Sequence, residues 1–174
     1  NEYFVRCKVN HNISKNLVMP NLFVFRHGEA AISSPDFDRP LTKKGQSDIE
    51  RVSEELSKQP IHNAVLASSP STRTVMTSEI LHSKLGSHNV SLFFLEDGYL
   101  AEDWVWLKYL EGLSEEFESC IIVGHNPGIM DLVKKLTGED IPMPPGTGIV
   151  INLLINEWRE VFDGTGSVVK ICTP

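Results

Sequence analysis

Four short apolar runs, Leu22–Phe25, Ala64–Ala67, Ser91–Leu95 and Ser119–Val123, constrain this chain more than any other feature. Each is four or five residues long and bounded by turn chemistry, so each reads as a strand, Leu22–Phe25 as a buried one. Segments of helical character separate them. Lys43–Gln59 carries Ile49, Val52 and Leu56 at helical spacing, ends before Pro60, and offers Glu54 and Lys58 as an i,i+4 pair. A second helix runs to about Leu85, with Ser69 as N-cap and Pro70 in its first turn. Asp103–Leu113 reads as a third helix. Asn126-Pro127 reads as the cap and first turn of a fourth, which ends near Gly138. Strands alternating with helices predict an α/β sandwich with a mostly parallel sheet and helices on both faces.

The tail changes character after the break at Met143-Pro144-Pro145-Gly146. Gly148–Ile155, Trp158–Phe162 and Val168–Cys172 predict late, partly antiparallel strands. A chain of 174 residues, 41% of them hydrophobic, builds one ordinary core. Residues 1–20 read as an N-terminal extension, in which Tyr3-Phe4-Val5 offers an edge strand, and residues 21–174 as a single domain. The net charge of −7 argues against a nucleic-acid or anionic-membrane partner. Cys7, Cys120 and Cys172 are odd in number and widely spaced, which predicts buried thiols rather than a disulfide framework. No apolar stretch approaches the roughly 20 residues of a membrane span. The first 20 residues lack a signal peptide's apolar centre, and a cytoplasmic location is expected.

Three strand ends carry related chemistry. The first strand runs into Arg26-His27-Gly28. The second runs into Ser68-Ser69-Pro70 and places Arg73 in the first turn of a helix. The fourth runs into Gly124-His125-Asn126-Pro127-Gly128 and again opens a helix. Ligands of open α/β sheets bind beyond the carboxyl ends of the strands, so two histidines, two arginines and two helix N-termini are expected in one crevice.

That set suits a phosphoryl group. Guanidinium forks match phosphate oxygens, and helix N-termini add free N–H donors. An imidazole among arginines is pushed toward its neutral, nucleophilic form. The implied reaction is in-line phosphoryl transfer to a histidine nitrogen, followed by hydrolysis of the phosphohistidine.

On these residues the chain resembles the histidine phosphatase superfamily, also called phosphoglycerate mutase-like. The motifs are Arg26-His27-Gly28-Glu29-Ala30, Arg39-Pro40-Leu41-Thr42 with Gly45, Ser68-Ser69-Pro70 with Arg73 and Thr74, and Gly124-His125-Asn126-Pro127. The likeness spans about Leu22 to Leu136 and is greatest to the SixA-type phosphohistidine phosphatases. The resemblance implies a three-layer α/β/α fold and His27 as the phosphorylated nucleophile. It implies Arg26, Arg73 and His125 as the phosphate pocket, and neither a metal nor an organic cofactor. Gly28, Glu29, Asn126 and Arg39 are expected to bind substrate, although Arg39 also suits a structural ion pair with Asp36 or Asp38.

Many members of the superfamily place a glutamate proton donor after the third strand. Here Leu95-Glu96-Asp97 puts the shorter Asp97 at that position, with Glu96 and Glu102 nearby. A general acid matters most for a poor alkoxide leaving group, so this departure favours a P–N substrate. The short loop after His27 and the lack of long insertions predict a shallow, open pocket that takes phosphate or sulfate. The expected activity is removal of phosphate from phosphohistidine in a signalling or phosphotransfer protein. Alternatives are a small-molecule phosphomonoesterase or mutase, and a non-catalytic phosphoprotein-binding module. Trp104, Val105 and Leu107 are expected to face the core, with Trp104 or Trp106 lining a substrate rim as the alternative.

Overall fold

The structure is a computed structural model that describes residues 19–174. The expected edge strand at Tyr3-Phe4-Val5, Cys7 and all but the last two residues of the N-terminal extension lie outside the described residues. Six strands form one sheet: β1 (Asn21–Arg26), β2 (Ala64–Ser68), β3 (Val90–Phe94), β4 (Ser119–Gly124), β5 (Gly148–Leu153) and β6 (Gly166–Cys172), in the order β3-β2-β4-β1-β5-β6. The first four strands are parallel; β5 runs antiparallel to both β1 and β6. The helices are α1 (Lys43–Leu56), α2 (Thr72–Lys84), α3 (Asp103–Glu111) and α4 (Gly128–Thr137).

Alternation along the strands builds two cores. Phe23 and Phe25 pack with Ile49, Val52 and Leu56 of α1 and Leu81 of α2. Leu22 and Val24 point the other way, into Trp106 and Leu110 of α3 and Ile129, Leu132 and Leu136 of α4. The result is the expected three-layer α/β/α sandwich. β4 between β1 and β2 is buried at every residue, as a parallel strand covered on both faces must be.

Several local expectations shift. The cap of α2 is Ser71, not Ser69, and Pro70 precedes the helix rather than opening it; the Ser69 hydroxyl is instead engaged with His125, 2.9 Å from Nε2. Trp158–Glu160 is a 3-10 turn and not a strand, because Glu157 and Glu160 close a capping box across it and Trp158 is buried in the α3/α4 core. Trp106, fully buried, takes the core position of α3, whereas Trp104 is exposed and bonds Glu102. Lys58 pairs with Glu55 one residue nearer than Glu54, and Glu54 faces Lys84 of the neighbouring helix. Cys120 and Cys172 are buried free thiols.

Candidate active site

The carboxyl ends of β1, β2 and β4 open on one cleft of about 310 Å³. Register brings them level, with Arg26 opposite Gly124 in the β1–β4 pair and Ser68 opposite Val123 in the β2–β4 pair. Chain-distant side chains thus meet: the His27 and His125 rings are 5.1 Å apart, and Arg73 lies between them.

His27 has its tautomer set by the backbone. Its Nδ1 lies 2.7 Å from the Gly28 carbonyl, which can only accept, so Nδ1 carries the proton and Nε2 the lone pair. Arg73 Nε donates to that lone pair at 3.2 Å. Burial, then the charges of Arg73, Arg26 and Arg39, push the imidazole down to about 4 against the opposing Gly28 bond. At neutral pH it is therefore an uncharged base with its free nitrogen turned toward a cation.

His125 is arranged in the reverse sense. Arg73 Nη2 approaches its Nδ1 at 3.4 Å, so Nε2 holds the proton and donates to Ser69 Oγ at 2.9 Å, with Ser71 Oγ at 3.3 Å. Burial first, then His27 and Arg73, lower its pKa to about 3. Behind it Gly124 is needed for close packing: a Cβ there would sit 2.6 Å from Ile129 and 3.1 Å from the Trp106 ring.

Arg26 is tied down by the segment that the sequence marked only as a break. Its Nη1 donates to the Met143 carbonyl at 2.9 Å, and Asn126 Nδ2 donates to the same oxygen at 3.0 Å. Gly146 N in turn donates to the His27 carbonyl at 2.9 Å. Arg26 Nε and Asn126 Oδ1 are buried with no partner among the described residues.

The Gly28 amide donates to Thr77 Oγ1, and a Cβ on Gly28 would meet the Gly45 carbonyl at 2.9 Å. Glu29 lines the cleft and accepts from Thr42 Oγ1 at 2.9 Å, while Thr42 also caps α1 through Gly45 N. Arg39 reaches the cleft as part of the foreseen ion pair, 2.9 Å from Asp36.

Asp97 is the candidate that the fold keeps apart. It lies in the 3-10 turn Glu96–Gly98, packed through Gly98 against Ser69 just beyond β2, and lines a neighbouring cleft of about 1000 Å³ with Trp104 and Tyr109. Tyr99 stands between the two clefts. Its ring meets His125 edge-on at 5.6 Å and its hydroxyl donates to Asp36 Oδ2 at 2.7 Å.

Asp36 and Tyr99 were not singled out from the sequence as site residues. The sequence marks Asp36 only as an ion-pair partner for Arg39. Its carboxyl is held well below the usual carboxylate range by Arg39 first, then by Tyr99 and Arg73. The Tyr99 phenol is raised by the same bond. No group of three or more His, Cys, Asp or Glu side chains suited to a metal occurs among the described residues. Nor is any helix among them long and apolar enough to cross a membrane.

An α/β/α sheet whose strand ends gather two imidazoles and the guanidiniums of Arg26 and Arg73 defines an anion-handling protein. Residues 22–96 match the family model of the histidine phosphatase superfamily, branch 1. An uncharacterized protein of Picosynechococcus sp. is 34% identical over 113 residues, covering 62% of this chain and 67% of that one. The protein histidine phosphatase SixA, solved with tungstate, superposes with a TM-score of 0.73 at 25% identity, over 88% of this chain and 97% of the other. A protein of Agrobacterium tumefaciens assigned as SixA gives a TM-score of 0.75 at 19% identity, over 90% and 99%. The chain belongs to the histidine phosphatase superfamily and is a phosphatase of that superfamily, acting on a phosphorylated substrate.

Proposed function

We propose that the protein hydrolyses phosphohistidine carried by a signalling or phosphotransfer protein, with His27 as the nucleophile. The observation that carries this reading is the His27 ring itself, with Nδ1–H anchored on Gly28 and a neutral Nε2 turned into the cationic cleft. The Nε2 lone pair forms the new P–N bond as the bond to the leaving imidazole breaks, and the departing nitrogen takes its proton from water. Water then attacks the phosphorus and the bond to His27 breaks; phosphate leaves with Nε2 restored, and the proton that the attacking water gives up neutralises the hydroxide left by the first step. Through both steps Nδ1–H donates to the Gly28 carbonyl, whose partial negative charge offsets the positive charge of the N-phosphorylated ring. Arg26, Arg73 and His125 stabilise the charge on the equatorial oxygens.

A P–N substrate is favoured because Asp97 lines the neighbouring cleft and not this one, leaving an alkoxide without that donor. The likeness to SixA points the same way. Glu29, Asn126 and Arg39 make the rim that meets the substrate, whereas Gly28, buried with its amide on Thr77, acts only through its carbonyl on His27; residues 21–174 are the catalytic unit. The buried free thiols support a cytoplasmic place of action. One feature favours a second reading, a small-molecule phosphomonoesterase: the aromatic cleft holding Trp104 and Tyr109 could take a leaving group.

The test is turnover of a phosphohistidine protein and of phosphoserine and sugar-phosphate substrates by wild type and His27→Ala. Loss of phosphohistidine turnover in the variant supports the assignment. Retained turnover overturns the nucleophile, and faster hydrolysis of the ester substrates by wild type favours the second reading.

A further inference from the structure

Arg73 is fully engaged before any substrate arrives. Its Nη1 donates to the Asp36 backbone carbonyl at 2.6 Å and its Nη2 to Asp36 Oδ2 at 3.0 Å. Arg39 Nη1 holds the other oxygen, Oδ1, at 2.9 Å, and the Tyr99 hydroxyl donates to Oδ2 at 2.7 Å. A carboxylate set on two guanidiniums and a hydroxyl occupies donors of the kind that a phosphoryl group would use. The Asp36 side chain is 48% exposed and that of Arg73 only 4%, so the carboxylate sits at the mouth, above a buried cation.

We infer that Asp36 is an internal competitor for the anion seat on Arg73. An incoming phosphoryl group takes Nη2 from the carboxylate, which stays on Arg39 and Tyr99 and returns to Arg73 when phosphate leaves. The inference rests on the reading of this cleft as the phosphoryl site. Its physical ground is donor geometry and charge. Arg73 Nε faces His27, and Nη2 is the donor nearest His125. A dianion cannot share Nη2 with a carboxylate at hydrogen-bond distance without like-charge repulsion. Two of the three groups that hold Asp36 lie outside that contest, so a small rotation of its side chain frees the seat. Asp36 thereby weakens product binding and raises the affinity a phosphoryl ligand must have to enter. A carboxylate that merely braced Arg73 would have the opposite effect, since its removal would loosen the phosphate site.

Calorimetric titration of the full chain with inorganic phosphate separates these cases. Asp36→Asn is expected to bind phosphate roughly three- to tenfold more tightly than wild type, with Asp36→Ala in the same direction. Asp38→Asn removes an equal charge from the same turn at a residue that does not line the cleft, and should change affinity less than about twofold. Thermal melts show which variants are folded. Unchanged or weaker binding by folded Asp36→Asn and Asp36→Ala overturns the inference. So does an equal gain in Asp38→Asn, because a general field would then suffice. Arg73→Ala binding as tightly as wild type sinks the phosphoryl-site reading itself, and the inference with it. Absence of binding by both wild type and Asp36→Asn does the same.

Discussion

Arg73 Nε lies 3.2 Å from His27 Nε2, the nitrogen that the Gly28 carbonyl leaves unprotonated. The Arg73 guanidinium is thus the buried cation beside the proposed nucleophile, and a phosphoryl group arriving at His27 Nε2 takes the place of this bond. His27→Ala should lower turnover by at least about 10³-fold. Rapid quench with radiolabelled phosphohistidine substrate should trap label on wild type and none on His27→Ala. Label on the variant would place the intermediate elsewhere.

Arg73→Lys keeps the charge but loses the fork that bridges His27, His125 and Asp36. We expect kcat/KM to fall roughly 10²-fold, with kcat carrying most of the loss. A fall confined to KM would mean that Arg73 binds the ground state and transition state alike.

Both imidazoles start from 6.5 in the unfolded chain and are depressed on folding, His27 to about 4 and His125 to about 3. Between those values the unfolded chain binds more protons, so their contribution to stability is full above pH 6.5 and is lost as pH falls toward 4 and 3. Melting temperature should therefore decline over this window, and His27→Gln should decline less steeply. For turnover, kcat/KM should stay flat from about pH 8 down to about pH 5, because His27 remains neutral. An acid limb centred near 6.5, the ordinary histidine value, would contradict the buried environment.

Gly45 touches the loop that bears Glu29: a Cβ there would sit 2.2 Å from the Glu29 carbonyl. Backbone cannot yield as a flexible side chain would. Gly45→Ala should cost roughly 2–4 kcal/mol in urea denaturation. It should also raise KM by displacing Glu29. A change in neither would mean that the loop adapts.

If Asp97 were the proton donor, Asp97→Asn would lose about 10²- to 10⁴-fold. Its place in the neighbouring cleft predicts instead that phosphohistidine turnover stays within about threefold of wild type. Steady-state assays on phosphohistidine and phosphoserine substrates decide between these outcomes.

Much of this site can be read from the sequence because its parts are local. A short apolar run, a turn and a helical period identify each strand-helix unit, and Arg26, His27, Arg73 and His125 all sit where such units place chemistry, at carboxyl ends of strands or in the helix turn beyond. Trp158 and Trp104 show where that reading stops. An apolar residue near a turn fits a strand or a buried 3-10 turn equally well, and the packing around α3 chooses. The spatial order β3-β2-β4-β1-β5-β6, which seats His125 beside His27, is set by long-range pairing that no local pattern encodes. The bond between Asp36 and Tyr99, 63 residues apart, depends likewise on how two loops settle over the sheet edge. Local chemistry therefore named the cations and the proposed nucleophile of this site, and tertiary packing alone put a carboxylate over them and drew Asp97 away, because loop orientation is decided by distant contacts.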